Sequence, residues 1–342
     1  MKRTVKYIAL AIALLLGWMA FSVLYPNSYD VPQFKERKGT KYWNLSTGSR
    51  IGYTFMPAKG VRKSSPVLFL QGGPGGFITD KNIGLLGQLS DDGYDVYLYD
   101  QIGSGHSARL NDITEYTADR HKKDLEAIVA EIKADKVILI GQSWGTILAT
   151  LYVADNPSKV EKVVFTGPAP IAPFNNDALQ QPAPDSLDLK EPVFNNRDAN
   201  LKANNLRTRA ASFMAAVNGK KLMTDKEADD FQTYLNSQLN KATVANPDNA
   251  VPAQAGGGYY AQIMTYNSLL LQTKDPRPRL KRLAIPTLVI RGQYDNQKWG
   301  AAKEYLDLFP NHKLVLVKNA GHSVATEHPE IYVNEIRSFL KG

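Results

Sequence analysis

The 342-residue chain contains no cysteine, and this absence excludes a thiol nucleophile, a disulfide framework and any thiolate metal site. It leaves the compartment open, because a cysteine-free chain tolerates oxidising and reducing surroundings alike. No low-complexity tract or internal repeat stands out. With 43% hydrophobic and 22% charged residues, the composition is that of a globular protein, and the length predicts a large domain or a domain with an insertion.

Concentrated charge of one sign is also missing, although the net charge is +8. The Lys and Arg residues are scattered among acids, without the basic stripe or aromatic platform that nucleic-acid binding needs. The glycine-rich segment QGGPGG, residues 71–76, has neither the Lys-Ser/Thr of a P-loop nor a GxGxxG pattern. Nucleic acid is therefore not expected as a partner, and nucleotide phosphates are not expected at this loop.

The N-terminus carries an uncharged run, residues 7–25, preceded by the cations Lys2, Arg3 and Lys6. About 20 apolar residues cross a bilayer, whereas the apolar part of a cleavable signal usually has about 7–15. The run therefore predicts a transmembrane anchor with its short tail in the cytoplasm and the globular part on the extracytoplasmic side. A secreted protein remains the alternative, with a poor cleavage site at residues 20–22.

Apolar strands alternate with helical patterns along the rest of the chain, which predicts an α/β fold with a mostly parallel, doubly wound sheet. The stretch from Pro168 to Arg282 breaks this alternation, because it offers no convincing strand and reads as helical. We expect it to form a helical cap over the carboxyl ends of the strands, where open α/β sheets bind ligands. The sequence thus predicts four parts. Residues 1–30 form the tail and the anchor or signal, and residues 31–167 form the first part of the core. Residues 168–283 form the cap, and residues 284–342 form the second part of the core.

The segment LIGQSWGT, residues 139–146, places Ser143 between Gly141 and Gly145 where a predicted strand ends and a helix begins. Gly and Ser are common in ordinary turns. The same pattern is typical of a nucleophile elbow, which holds a serine on a sharp turn. A serine hydroxyl needs a base within hydrogen-bond reach, and the base needs a third group to orient it.

Two further strand ends supply these groups. Asp295 follows the strand in LVIRGQYD, and His322 lies in NAGHSV after the last predicted strand. His106, in a Gly/Ser loop, is the main competitor for the base. In hydrolases with a nucleophile elbow, the nucleophile, the acid and the base follow one another in this order along the chain. The pattern therefore predicts Ser143, Asp295 and His322 as the catalytic residues.

A developing oxyanion needs two backbone N–H donors. The residue after the nucleophile, Trp144, is one candidate, and the glycine loop supplies the other, with Gly73 favoured and Gly72 as the fallback. The predicted reaction requires no metal ion and no organic cofactor.

The motifs GGPGG, DQIGSGHS, GQSWGT, GQYD and NAGH together resemble the α/β-hydrolase family, and most closely its proline iminopeptidase branch. The resemblance covers roughly residues 40–342 and implies an α/β-hydrolase fold in which Ser143, Asp295 and His322 form the triad. It also implies a small-molecule or short-peptide substrate. That branch usually has His where Gln71 stands and often has Arg where Ile102 stands.

In that branch, carboxylates of the cap hold the free amino group of the substrate, but the tryptophan–glutamate pattern associated with this role is missing here. The cap candidates for substrate binding are Glu191, Glu227, Tyr259 and Tyr260, with Asp229 and Asp230 as further acids. Phe213 and Met214 are expected in the cap's own small core. Three functions stay open: a proline iminopeptidase, a carboxylesterase of small esters, and a non-catalytic binding module.

Overall fold

A computed structural model describes residues 2–342 of the chain. Its centre is an eight-stranded sheet. The strands are β1 (Lys41–Asn44), β2 (Arg50–Met56), β3 (Val67–Leu70), β4 (Val96–Tyr99), β5 (Val137–Gln142), β6 (Val160–Thr166), β7 (Thr287–Gly292) and β8 (His312–Val317).

The strand order is β1-β2-β4-β3-β5-β6-β7-β8. Strand β2 pairs antiparallel with both β1 and β4, and all other pairs are parallel. Every residue of β3 and β7 is buried, as expected for strands with both faces covered. The carboxyl ends of β3, β5, β6, β7 and β8 therefore meet at one edge of the sheet.

In the described part of the chain, thirteen α-helices accompany the sheet: α1 (Lys2–Leu24), α2 (Asp80–Leu86), α3 (Ala118–Ile132), α4 (Trp144–Asp155), α5 (Asn176–Leu179), α6 (Asn196–Ala203), α7 (Leu206–Asn218), α8 (Asp225–Leu239), α9 (Tyr259–Gln272), α10 (Arg277–Leu280), α11 (Trp299–Leu308), α12 (Val324–Glu327) and α13 (Pro329–Lys341). Helices α3, α4 and α11 pack on one face of the sheet, and α2 and α13 pack on the other. Alternate residues of β3 and β5 point to opposite faces, so the sheet separates two apolar cores.

Between β6 and β7 the described chain contains helices α5 to α10 and no strand. The interior of this cap is built from Phe231, Leu235 and Tyr260, which are all buried. Phe213 lies outside it with an exposed fraction of 64%, so its expected place in the cap core is wrong. Met214 is half-buried. Phe213 therefore lies on an exposed side of α7.

Helix α1 is 23 residues long, and its apolar side chains are exposed along its length. Its length and composition allow it to cross a membrane, as a membrane anchor or as a signal sequence. The chain leaving this helix is fastened to the cap: Arg207 Nη1 donates to the carbonyl of Val23 at 2.6 Å, and the amide of Asn27 donates to Glu227 at 2.8 Å.

Candidate active site

Ser143 lies at the turn between β5 and α4, with φ 51° and ψ −117°. A positive φ is unusual for a residue with a side chain and is typical of a strained functional turn. Both flanking positions require glycine, because neighbouring backbone atoms lie too close to leave room for a Cβ. A Cβ on Gly145 would lie 2.0 Å from the carbonyl oxygen of Leu70, and one on Gly141 would lie 2.6 Å from that of Gly145. The sequence pattern thus has a packing cause, and the turn presents the serine at the sheet edge.

Asp295 and His322, which follow β7 and β8, meet at the same edge. Their side chains form a hydrogen bond of 2.8 Å between His322 Nδ1 and Asp295 Oδ1. The amide of Gln297 also donates to Asp295 Oδ1 at 2.9 Å. Burial by itself would raise the pKa of Asp295, but the charge and hydrogen bond of His322, together with Arg291, hold that pKa below its ordinary value. Asp295 is therefore a carboxylate that can orient and stabilise the imidazole.

The end of β6 connects the serine to the imidazole. The amide of Ser143 donates to the carbonyl of Thr166 at 3.0 Å. The next residue, Gly167, is so close to the imidazole that a Cβ there would lie 2.9 Å from His322 Nδ1. Within residues 2–342, the Ser143 hydroxyl does not form a hydrogen bond with His322. In enzymes of this kind such a bond often tightens only when substrate is present.

The competing base, His106, has both ring nitrogens occupied. Its Nδ1 lies 2.9 Å from Asp100 Oδ2, and its Nε2 accepts the amide N–H of Arg37 at 2.8 Å. This buried pair fastens the segment that precedes β1 to the core. His106 is therefore a structural residue in this arrangement, and His322 is the histidine with an acid partner at the Ser143 edge.

The glycine loop after β3 reaches the same site, where Gly73, Ser143 and Trp144 line one cavity. Trp144 is the first residue of α4, so its backbone N–H has no acceptor within its own helix. The amide of Gly72, the fallback donor, is already bound to Gln71 Oε1 at 2.9 Å. This geometry favours Gly73 and Trp144 as the pair of oxyanion donors.

Gln101 and Arg291 support the site and were not identified from the sequence. Gln101 Nε2 donates to the carbonyls of Gln71 and Gly72 at 2.8 and 3.0 Å and thereby holds the glycine loop. Arg291 is 3% exposed, and its Nη1 lies 3.7 Å from Asp295 Oδ2. The sequence does contain a signal for Arg291, because a charged residue inside the otherwise apolar strand TLVIRG is unusual.

The cavity at Ser143 has a volume of about 300 Å³ and a largely apolar wall. Among residues 2–342, no acidic or basic side chain lines it. The core contributes Gly73, Pro74, Ser143, Trp144, Ile147 and Gln297, and the region from β6 to β7 contributes Ala169, Pro170, Phe174, Asn176, Leu179, Tyr266 and Leu269.

The four cap acids are not among the residues that line this cavity. Glu227 is buried and forms a double hydrogen bond with Arg207 at 2.5 and 2.7 Å. Asp229 binds Arg109 at 2.7 Å, Asp230 binds Lys226 at 2.6 Å, and Glu191 is exposed. The structure does not bring these carboxylates to the lining of the Ser143 cavity.

The two cap tyrosines are also absent from that lining. The hydroxyl of Tyr259 donates to the carbonyl of Thr208 at 3.3 Å, and that of Tyr260 donates to the carbonyl of Met223 at 2.8 Å. Both rings are buried and form part of the cap interior. The aromatic cap residues that reach the cavity are Phe174 and Tyr266, and Tyr266 lies on α9 as Tyr259 and Tyr260 do.

Residues 65–329 match the α/β-hydrolase fold family. The chain belongs to this family. It is also similar to proline iminopeptidases. It is 28% identical to that of Heyndrickxia coagulans over 86% of this chain and 96% of the relative. It is 23% identical to that of Saccharolobus solfataricus over 86% of this chain and 89% of the relative.

Solved structures share the fold of this hydrolase. A proline iminopeptidase from Mycobacterium smegmatis has a TM-score of 0.57 at 18% identity and covers 89% of this chain and 98% of its own. An esterase from Exiguobacterium antarcticum has a TM-score of 0.56 at 17% identity, over 88% and 99%. At these identities the likeness shows the fold alone, and it does not separate the two activities.

Proposed function

We propose that the protein is a serine hydrolase in which Ser143 is the nucleophile, His322 the base and Asp295 the residue that orients the base. The observation that carries this proposal is the 2.8 Å hydrogen bond between buried Asp295 and His322 at the sheet edge where the strained turn presents Ser143. Asp295 accepts from Nδ1, which leaves Nε2 of the imidazole as the proton acceptor for a serine hydroxyl.

In this mechanism Ser143 Oγ attacks the carbonyl carbon of the substrate as His322 Nε2 takes the hydroxyl proton. The N–H groups of Gly73 and Trp144 stabilise the negative oxygen of the tetrahedral intermediate. His322 then protonates the leaving alcohol or amine, and the carbon–heteroatom bond breaks to leave an ester on Ser143. Water, deprotonated by the same histidine, hydrolyses that ester and restores the free serine.

For the substrate, the leading proposal is release of N-terminal residues, above all proline, from short peptides. Its support is the similarity to proline iminopeptidases together with a compact apolar cavity, which suits a small ring next to the reacting carbonyl. A second candidate, hydrolysis of small neutral esters, is favoured by a specific observation. Among the described residues, none that lines the cavity carries a carboxylate to bind a charged amino group.

A direct comparison of substrates tests the choice. The full-length protein is assayed with a proline arylamide and with p-nitrophenyl esters of short neutral acids, and Ser143→Ala serves as the inactive control. Preference for the arylamide supports the peptidase, whereas turnover of the esters alone supports the esterase. Failure of both substrates and of fluorophosphonate labelling at Ser143 would favour the non-catalytic binding module.

The cap acids are tested in the same assays. Each of Glu191, Glu227, Asp229 and Asp230 is replaced by its amide. If one of them binds the amino group after the cap moves, its replacement raises the KM for the arylamide far more than the KM for the ester. Equal effects on the two substrates remove these four residues from amine recognition.

We further propose that α1 remains attached as a membrane anchor, with the globular part on the extracytoplasmic side. The 22-residue span Arg3–Leu24 and the three cations near its start support this. N-terminal sequencing of the mature protein, combined with carbonate extraction of membranes, tests the anchor. A soluble protein that begins near Val23 is the result expected of a cleaved signal and would contradict it.

A further inference from the structure

Helix α7 carries an apolar stripe that the packing of the cap leaves uncovered. Arg209, Phe213 and Val217 recur every four residues and therefore share one side of the helix. Phe213 is 64% and Val217 63% exposed, while Ala211 and Ala215 face the cap interior and are fully buried. The uncovered side therefore presents large apolar groups to the surroundings, next to an arginine.

Helix α9 extends this surface. Tyr266, Leu270 and Leu271 are 48%, 54% and 72% exposed. Asn267, which lies among them on α9, donates its side-chain amide to the carbonyl of Ala216 on α7 at 3.3 Å, so the two sets of apolar residues flank one helix–helix contact. We call this surface the cap face: Phe213, Val217, Tyr266, Leu270 and Leu271. Because Tyr266 also lines the Ser143 cavity, the cap face extends to that cavity.

The charge on the two helices has one sign. Helix α7 contains two arginines and no acid, and α9 contains no charged residue. Arg207 forms a buried ion pair with Glu227, whereas Arg209 is exposed on the apolar stripe. An exposed apolar surface of this kind marks an interaction site. An apolar face with a cation and no carboxylate matches the boundary between anionic headgroups and acyl chains.

The position of α1 indicates what covers the cap face. The end of α1 packs against α7, where Arg207 holds the carbonyl of Val23, and Glu227 holds the amide of Asn27 two residues beyond Tyr25. The chain thus reaches the cap at the point where α1 ends. Phe213 and Val217 follow Arg207 by six and ten residues, so they lie about 9 and 15 Å from that point along the axis of α7.

We propose that the cap face rests on the membrane surface, with the apolar side chains among the lipid headgroups and Arg209 beside anionic phosphates. This interface rests on α1 crossing the bilayer and does not depend on the serine chemistry. A second copy of the chain is the competing occupant of the same surface, and the test below separates it.

The absence of cysteine makes the test direct, because a single introduced cysteine is the only site for a thiol-reactive fluorophore. The full-length chain with Phe213→Cys or Leu270→Cys is labelled with an environment-sensitive dye and reconstituted into phosphatidylcholine–phosphatidylglycerol vesicles. Lipids that carry a shallow doxyl quencher report contact with the bilayer. Leu15→Cys within α1 is the control for membrane insertion. Val61→Cys, 89% exposed in the loop before β3 at the opposite edge of the sheet, is the matched control for a surface away from lipid.

We expect the quencher lipid to lower the fluorescence at positions 15, 213 and 270 and to leave position 61 unchanged. Quenching at 213 and 270 should weaken when phosphatidylglycerol is left out or with Arg209→Glu, and persist with Arg209→Lys.

Quenching at 15 but not at 213 and 270 would overturn the proposal. Equal quenching at position 61 would also overturn it, because this indicates unspecific adsorption. Energy transfer between labelled copies without quenching by lipid would indicate a dimer and would overturn it as well. Loss of quenching at 15 removes the premise that α1 crosses the bilayer, and the proposal with it. Activity assays on Ser143→Ala bear on the proposed function alone.

Discussion

Asp295→Asn isolates the charge of the acid partner from its shape. In the structure Asp295 Oδ1 accepts from both His322 Nδ1 and the amide of Gln297, and Oδ2 faces Arg291 Nη1 at 3.7 Å. An asparagine cannot keep both hydrogen bonds and the charge attraction to Arg291. If its oxygen stays at the Oδ1 position, its NH₂ group faces the guanidinium of Arg291. If the amide flips, the NH₂ group faces the amide of Gln297 and forces the imidazole into the tautomer that protonates Nε2.

The magnitude follows from the charge and the tautomer. Two unit charges about 4 Å apart near a protein surface interact by about 4 kcal/mol, which is the stabilisation of the protonated imidazole that the variant loses. At about 1.4 kcal/mol per tenfold in rate, this corresponds to about 10³. The fraction of enzyme in the wrong tautomer adds to this, so we expect a loss of roughly 10⁴ in kcat, as in other triads.

The chain offers a matched control in Asp100, whose carboxylate also lies against a buried histidine, at 2.9 Å from His106. Asp100→Asn should lower the melting temperature, because Asp100 also accepts the amides of Ile78 and His106 at 2.8 Å. Folded Asp100→Asn protein should keep its kcat. Both variants are measured by steady-state turnover and by thermal unfolding monitored by circular dichroism. An Asp295→Asn enzyme within tenfold of the parent, or an equal loss in folded Asp100→Asn protein, would refute the assignment.

Ser143→Ala should lose about 10⁶ in kcat and all fluorophosphonate labelling, with an unchanged melting curve, because the flanking glycines set the turn; labelling that survives would exclude Ser143 as the nucleophile. Gly145→Ala should unfold or inactivate the protein, because its Cβ would lie 2.0 Å from a backbone oxygen. Gly84→Ala on α2, whose Cβ meets open space, is the control and should stabilise the protein by about 0.5 kcal/mol. The melting temperatures of the two variants test this difference. Glu227→Gln should cost about 3 kcal/mol of unfolding free energy near pH 7 by leaving Arg207 unpaired. Burial opposes ionisation of Glu227, but Arg207 and the Asn27 amide hold its pKa below the ordinary value. The difference should therefore be constant above about pH 5, begin to shrink near the ordinary Glu pKa of about 4.3, and be lost as the pH falls through the lowered pKa of the folded protein. A difference that stays the same size from pH 6 to pH 3 in denaturant titrations would contradict it.

The sequence determines the features whose causes are local. Buried parallel strands are read as short apolar runs because both of their faces are covered, and the runs near β3, β5 and β7 predict those strands. The pattern around Ser143 is equally local, since each glycine is required by a backbone atom of the same turn or the adjacent strand. Strand β1 was not predicted, because a four-residue edge strand with three exposed residues carries no apolar run.

Only the tertiary structure decides which distant residues meet. His106 and His322 both stand among small residues in loops after strands, so the sequence offers two bases. The fold separates them by occupying both ring nitrogens of His106 with Asp100 and the amide of Arg37. Glu227 is likewise a candidate for substrate binding in the sequence, but folding buries it against Arg207, a residue 20 positions away. Phe213 reads as core because it is aromatic, and its exposure depends on which side of α7 the neighbouring helices cover. Sequence periodicity identifies the faces of an element, but the partner of each face is set by packing over the whole chain.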